Sequence, residues 1–354
     1  MTQELVRTRR SRPRRRRRPT RLRDLPNIFF CGDPHGCFDQ INEAARLYHP
    51  DAMVILGDLQ PSAPLQVVLE EALAYTEIWW IPGNHDTDSD EIYDNLWRSE
   101  LAGHNLHGRV ANVAGLRIAG LGGVFRGQVW MPDGSPNYYS PSVFMRRVGA
   151  NNVWRGGVPR RHRSTIFPSV YNNLMRQRAD VLVTHEAPGC HRKGFCAIDR
   201  LAKSLGVRWL FHGHQHEDRA YGDHAGIHPR GVGYRGVVNL QGEVVIPSRL
   251  DPREELALRE SCDWDACEAR HEIIVRDEEG HISFLPPSEG LVPAILPAAK
   301  LRPAEPSEEK AAGTAPEEPC RCLDEKPEEK KPAGAVRRHR RGRRRHKNRA
   351  QKTA

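Results

Sequence analysis

The chain has 354 residues, enough for one large domain or two of medium size, but 38% hydrophobic residues and 27 prolines are too few and too many for a chain folded throughout. The net charge of +9 is concentrated at the ends: residues 1–23 hold eleven arginines and one acid, and residues 336–354 hold ten Lys/Arg and no acid, which leaves 33 bases against 44 acids between them, a body of about −11. No apolar run approaches the roughly 18 residues of a membrane helix and no apolar segment follows the arginine-rich start, so neither a membrane protein nor a secreted one is expected, and the location reads as cytoplasmic.

Residues 1–25 are Arg/Pro-rich, lack apolar periodicity and are expected to be a disordered arm. Such an arm can bind nucleic acid or another polyanion electrostatically, or simply keep the chain soluble. With no interleaved aromatics, base stacking by this arm is not indicated.

Ordered sequence begins at Asn27-Ile28-Phe29-Phe30-Cys31, a short apolar strand. Gly32-Asp33-Pro34-His35-Gly36 cannot continue it and reads as a turn. Asp33 and His35 flank Pro34, and alternate residues in extended chain point the same way, so the two can converge on one point as metal ligands do. Phe38 to Tyr48 has helical spacing, Asp51 to Leu56 is a second strand ended by Gly57-Asp58, and Leu65 to Tyr75 reads as a helix. A third strand, Glu77 to Ile81, closes at Pro82-Gly83 and delivers Asn84-His85-Asp86. Here Asn84 can ligate a hard metal, His85 can move a proton and Asp86 can orient His85. Strand–helix–strand–helix–strand at this spacing implies parallel pairing, with Asp33, Asp58 and Asn84 on one sheet edge, where open α/β sheets put their ligand sites.

Glu91 to Leu101 reads as a helix, and Asn105–Val113 and Leu116–Leu121 as paired strands. Residues 125–165 form a long Gly/Pro/Asn/Arg-rich stretch carrying Trp130, Tyr138, Tyr139 and Trp154 among arginines, either a substrate lid or a surface excursion packed by its own aromatics. Val170–Arg178 and Ala197–Leu205 are helical in pattern. Asp180–Thr184 is a strand ending at His185-Glu186, and Arg208–Phe211 is another ending at His212-Gly213-His214-Gln215-His216. Late strands follow at Tyr234–Leu240 and Glu243–Ile246, with a hairpin formed by 272–276 and 281–285. The folded domain is taken as 26–287, followed by a Pro/Ala/Glu-rich flexible linker at 288–335 and a basic disordered tail at 336–354. The eight cysteines are irregularly spaced and fit reduced thiols better than a disulfide scaffold or a structural zinc.

Five strand ends thus carry Asp33/His35, Asp58, Asn84/His85, His185 and His214/His216. Any one of these is an ordinary polar turn; five in order on one sheet edge point to a metal site. Carboxylate, imidazole and amide oxygen together suit Mn²⁺, Fe or Zn²⁺ rather than Ca²⁺, and seven ligands suit two ions sharing a carboxylate.

The ordered blocks Asp33-Pro34-His35, Gly57-Asp58, Gly83-Asn84-His85-Asp86, His185 and Gly213-His214-Gln215-His216 resemble those of the calcineurin-like metallophosphoesterases. The resemblance spans residues 27–287. It implies an α/β fold of four layers, a sandwich of two mixed sheets flanked by helices. It also implies that one metal takes Asp33, His35, Asp58 and His216 and the second takes Asp58, Asn84, His185 and His214, with Asp58 bridging. Where protein Ser/Thr phosphatases of the family read Asp-Arg-Gly, this chain reads Asp58-Leu59-Gln60, which weakens a protein-phosphatase assignment.

The expected chemistry is hydrolysis of a phosphoester by in-line attack of a metal-bridging hydroxide, with His85, aimed by Asp86, protonating the leaving group. Two divalent ions per chain are expected, Mn²⁺ first. His212 is read as a supporting or packing residue. Two other readings share this core: a non-catalytic nucleic-acid-binding protein, and a nuclease or phosphodiesterase guided by the basic arms.

Overall fold

The computed structural model describes residues 25–149 and 153–253 and two short strands at 273–276 and 282–285. The expected arm, except for residue 25, and the linker, the basic tail and the domain end near 287 lie outside the described residues.

The first half of the chain alternates strand and helix as the apolar spacing predicts: β1 (Ile28–Cys31), α1 (Asp39–Tyr48), β2 (Ala52–Ile55), α2 (Leu65–Val68), α3 (Glu70–Leu73) and β3 (Glu77–Trp80). The single helix expected over Leu65–Tyr75 is two short ones, meeting at Leu69, whose φ of −114° lies off the helical value. β1, β2 and β3 pair in parallel, with Phe30 opposite Val54 and Val54 opposite Trp79. α4 (Asp90–Trp97) follows, its first turn capped by the Ser89 hydroxyl, which accepts from the Ile92 amide.

A second sheet begins with β4 (Arg109–Val113) and β5 (Leu116–Leu121), an antiparallel pair. α5 (Pro141–Arg147) and α6 (Pro168–Leu174) each open on a proline, which suits the first helical position. Then come β6 (Val181–Thr184), α7 (Cys196–Leu205), β7 (Trp209–His212), β8 (Arg219–Ala220), β9 (His228–Gly231), β10 (Val237–Asn239) and β11 (Val244–Ile246). The first sheet runs β11-β10-β1-β2-β3 and the second β4-β5-β6-β7-β9-β8; both are mixed. β12 (Ile273–Arg276) and β13 (Ile282–Leu285) form the predicted hairpin as a separate two-stranded sheet.

β1, β2 and β6 are short apolar runs buried throughout because both faces are covered. Ile28 and Phe30 of β1 join Val54, Ile81, Ile118, Val183 and Phe211 in a core between the two sheets. Phe29 and Cys31, pointing the other way, pack with Ile41, Ala45, Leu65, Leu69, Ala72 and Leu96 beneath α1–α4. On the far side, Leu182 and Leu210 pack with Leu174, Ile198, Leu201 and Leu205 under α6 and α7. The order is helices, sheet, sheet, helices. Phe30 and Phe211 stack across the middle with ring centroids 3.7 Å apart and planes within 7°. The five predicted strand ends therefore do not lie on one sheet edge: β1, β2 and β3 belong to one sheet and β6 and β7 to the other.

Described residues of the stretch 125–165 pack against the second sheet. Val124 pairs with Thr165 at its base, and Phe125, Val129, Trp130, Phe144 and Val158 are buried in the outer core of the second sheet. Cys31 and Cys37 are free thiols, but Cys196 is disulfide-bonded, a departure from the expectation of reduced thiols. Among the described residues no helix is long and apolar enough to cross a membrane.

Candidate metal centre

Each predicted block leaves the carboxyl end of a strand through a sharp turn. Eleven non-glycine residues among those described have positive φ, and five of them are predicted ligands: Asp33 (22°), His35 (42°), Asp58 (50°), His214 (68°) and His216 (57°). Left-handed backbone is disfavoured for side-chain-bearing residues, and its concentration here marks a site held in place by the surrounding fold. Gly57, at φ 109°, and Gly83 admit close approaches within the site: a Cβ on Gly57 would meet the His185 ring, and one on Gly83 would meet the Asp58 carboxylate.

The blocks converge in two groups. Ligand atoms of Asp33, His35 and His216 lie within 4.8 Å of one another, as do those of Asp58, His185 and His214. His35 Nε2 is 3.8 Å from Asp58 Oδ2, which brings Asp58 to the edge of the first group. Asn84 Oδ1 is 3.2 Å from His185 Nε2, at the second. Asp33 is fully buried and receives the His214 amide on both carboxylate oxygens, at 3.1 and 2.9 Å.

The hydrogen bonds fix which imidazole nitrogens carry lone pairs. His185 Nδ1 is 2.8 Å from the Leu56 carbonyl, so Nδ1 carries the proton. In the neutral ring Nε2 is then a bare acceptor, yet it faces Asp58 Oδ2 at 3.4 Å and the Asn84 amide oxygen at 3.2 Å. His216 Nδ1 likewise faces the Asp251 carboxylate at 3.2 Å, and His35 Nδ1 the Gln60 side-chain oxygen at 2.6 Å. That turns the two Nε2 atoms toward each other, 3.1 Å apart. Two lone pairs face to face, and a lone pair against two oxygens, need a cation between them. A metal ion fits both places, and the donor set of carboxylate, imidazole and amide oxygen suits a divalent transition metal. Protons are the alternative cations: burial pulls the His185 imidazolium down, but Asp58 and Asp33 beside it hold its pKa up at about 10. Burial also works against ionised Asp58, yet His185, the His85 amide and His35 keep it below the usual carboxylate range.

His85 sits on a one-turn 3₁₀ helix, His85–Thr87, with its ring exposed and its centroid 5.7 Å from that of His35. Asp86 does not orient it. The buried Asp86 carboxylate accepts the Gly83 amide at 2.7 Å and the Gln60 amide at 2.9 Å, which ties the turn after β2 to the turn after β3. His85 Nδ1 instead meets Asp88 Oδ2 at 2.6 Å. His212 is buried, with Nε2 3.0 Å from the Tyr221 hydroxyl and Nδ1 3.0 Å from the Gly213 carbonyl, and burial pushes its pKa down to about 3.

Several supporting residues escaped the sequence reading. Gln60 and Asp251 hold His35 and His216. The Tyr234 ring packs on both, at 5.5 and 5.1 Å. Arg235 donates to the Pro34 carbonyl at 3.1 Å and holds the first turn. Glu186 lies with Oε2 3.8 Å from His214 Nε2. Gln60 alone had a signal, since it stands where the block departs from Asp-Arg-Gly. Asp251 and Tyr234 follow no motif and are brought in only by folding.

Comparison with known proteins bears on the same blocks. A Haemophilus influenzae protein, itself uncharacterized, is 42% identical over 228 residues, which is 64% of this chain and 100% of that one. A crystal structure from Thermus thermophilus covers 62% of this chain and 96% of its own, with a TM-score of 0.40 at 16% identity. That of the 5'-nucleotidase of Candida albicans covers 60% of this chain and 47% of its own, with a TM-score of 0.35 at 11% identity. The family model described as calcineurin-like phosphoesterase matches residues 26–218, from β1 through the His214-Gln215-His216 turn. With that match over more than half its length, the chain belongs to the calcineurin-like phosphoesterase family.

Proposed function

We propose that the protein is a metal-dependent phosphoesterase that holds two divalent ions, Mn²⁺ first and Fe or Zn²⁺ as alternatives. The observation that carries this reading is the pair of ligand groups in which imidazole Nε2 atoms face each other in one and face carboxylate and amide oxygens in the other. Asp33, His35 and His216 would hold one ion, Asn84, His185 and His214 the other, and Asp58 would serve both. Such ions, when bound, supply a water of lowered pKa and positive charge against the phosphoryl oxygens.

The chain itself supplies the rest. Exposed His85 stands beside the first group, where it can meet the leaving-group oxygen of a substrate and give it a proton. Asp88 Oδ2, 2.6 Å from Nδ1, keeps the His85 ring turned. The Asp58 carboxylate is fixed by the His85 amide at 2.8 Å, so the proton donor and the shared ligand are set by one backbone link. The Asp86 carboxylate locks the two turns together and touches no reacting group.

The test is a panel of aryl phosphate monoesters and diesters with Mn²⁺, Fe²⁺ or Zn²⁺ added to the full chain. The expected result is metal-dependent turnover and two ions per chain by elemental analysis. No turnover with any metal, or fewer than one bound ion, would overturn the reading.

A further inference from the structure

One cation at the rim of the ligand groups has no charged partner among the described residues. The Phe125 amide donates to Glu186 Oε1 at 3.0 Å, and Glu186 Oε2 lies 3.8 Å from His214 Nε2. The backbone next to Arg126 is thus pinned to the loop after β6. The Arg126 side chain reaches toward the other side of the site. Its Nη2 donates to Ser164 Oγ at 3.2 Å, and Ser164 Oγ is 2.8 Å from Thr87 Oγ1, in the turn that carries His85. Arg126 therefore stands between the loop bearing His185 and the turn bearing His85.

Its charge is not used there. Arg155 and Arg160, from the same stretch, are taken up by Asp90 and Asp94. Arg126 makes no ion pair among the described residues, and its buried Nε has no hydrogen-bond partner. Burial and the neighbouring Arg161 disfavour its charge, while Glu186, Asp88 and Asp58 favour it from a distance. A half-buried guanidinium that feels the site's carboxylates and pairs with none of those described is suited to an anionic oxygen brought by a ligand.

We propose that Arg126 is a substrate-binding residue that takes an anionic oxygen of the phosphoester, from between the loop bearing His185 and the turn bearing His85. This rests on the phosphoesterase reading above. It makes the base of the 125–165 stretch part of the substrate site, although none of the sequence blocks includes it.

The test uses the full chain loaded with Mn²⁺, as wild type and as Arg126→Met, with inorganic phosphate as the probe in titration calorimetry. Metal content is expected to be unchanged, phosphate affinity to fall about 10–100-fold, and KM for an aryl phosphate to rise by more than kcat falls. Phosphate affinity within twofold of wild type overturns the proposal and leaves the phosphoesterase reading intact. A wild type that neither binds phosphate nor turns over any ester overturns both. If Arg126→Met does not fold, Arg126→Gln, which removes the charge and leaves a shorter polar side chain, is held to the same thresholds.

Discussion

His85 and Asp88 are joined by a 2.6 Å contact between Nδ1 and Oδ2, while Asp86, the immediate neighbour of His85, faces the other way. The cause is the 3₁₀ turn: with three residues per turn, positions i and i+3 lie on one face and i+1 does not. Asp86 is committed to two backbone amides. The carboxylate that holds the proposed proton donor is the one a full turn later.

Replacing His85 by Ala should leave metal content unchanged and lower kcat by about 10²–10⁴-fold on an ester with a poor leaving group. The loss should shrink as the leaving group improves. Kinetics on a series of aryl esters of graded leaving-group pKa measures this, and equal loss across the series removes His85 from proton transfer.

The two aspartates after His85 separate by phenotype. Asp88→Asn should lower kcat on the poor leaving group about tenfold, with thermal stability unchanged, because both side chains are exposed. Asp86→Asn presents an amide NH₂ to a buried backbone N–H. It should cost about 1–3 kcal/mol of stability and lower the melting temperature, with the leaving-group dependence of the folded enzyme unaltered. The reverse pattern would restore Asp86 as the orienting residue.

Asp58→Asn should strip both ions, since Asp58 borders both ligand groups. Elemental analysis after dialysis reads this directly. Retention of two ions per chain would confine Asp58 to a single site.

His162 gives a pH signature away from the ligand groups. It is buried, with Nδ1 3.1 Å from Thr165 Oγ1 and Nε2 3.1 Å from Gln128 Oε1. Burial, then Arg161 and Arg126, push its pKa down from 6.5 to about 4. Between those values the unfolded chain binds the proton and the folded chain does not, so stability falls as pH drops from about 6.5 toward 4. His162→Gln keeps hydrogen-bonding capacity and does not titrate. The stability difference between wild type and this variant should move by about 1–2 kcal/mol against the wild type between pH 7 and pH 5, read by denaturant unfolding. A difference independent of pH would show that the folded and unfolded states bind the His162 proton alike.

Much of the site was legible because its chemistry sits at strand ends that glycine announces. Gly32, Gly57, Gly83 and Gly213 each border a polar block, and apolar runs before them fix where each strand stops. The assignment of all five strand ends to one edge failed because periodicity finds strands but not their partners. Parallel pairing of β1–β3 and of β5–β7 looks alike in sequence, and only the packing of Phe30 on Phe211 places the two groups in different sheets. β9 went unread because Pro229 lies inside it, and proline argues against a strand. α5 was hidden in a stretch whose Gly and Pro content reads as loop, although Ser140 and Pro141 make a sound helix start. Asp251, Tyr234 and Arg126 are isolated residues whose roles come from tertiary placement alone.

Each ligand group draws on both sheets. Asp33 and His35 come from the β1 side and meet His216 from β7; Asp58 comes from β2 and meets His185 and His214 from β6 and β7. Bound ions would act as rivets through the seam of the sandwich, and chelation would free the two halves to slide over the Phe30–Phe211 contact. Hydrogen exchange should then quicken along β1 and β7 together when metal is withdrawn, while the outward faces beneath α1 and α7 keep their protection.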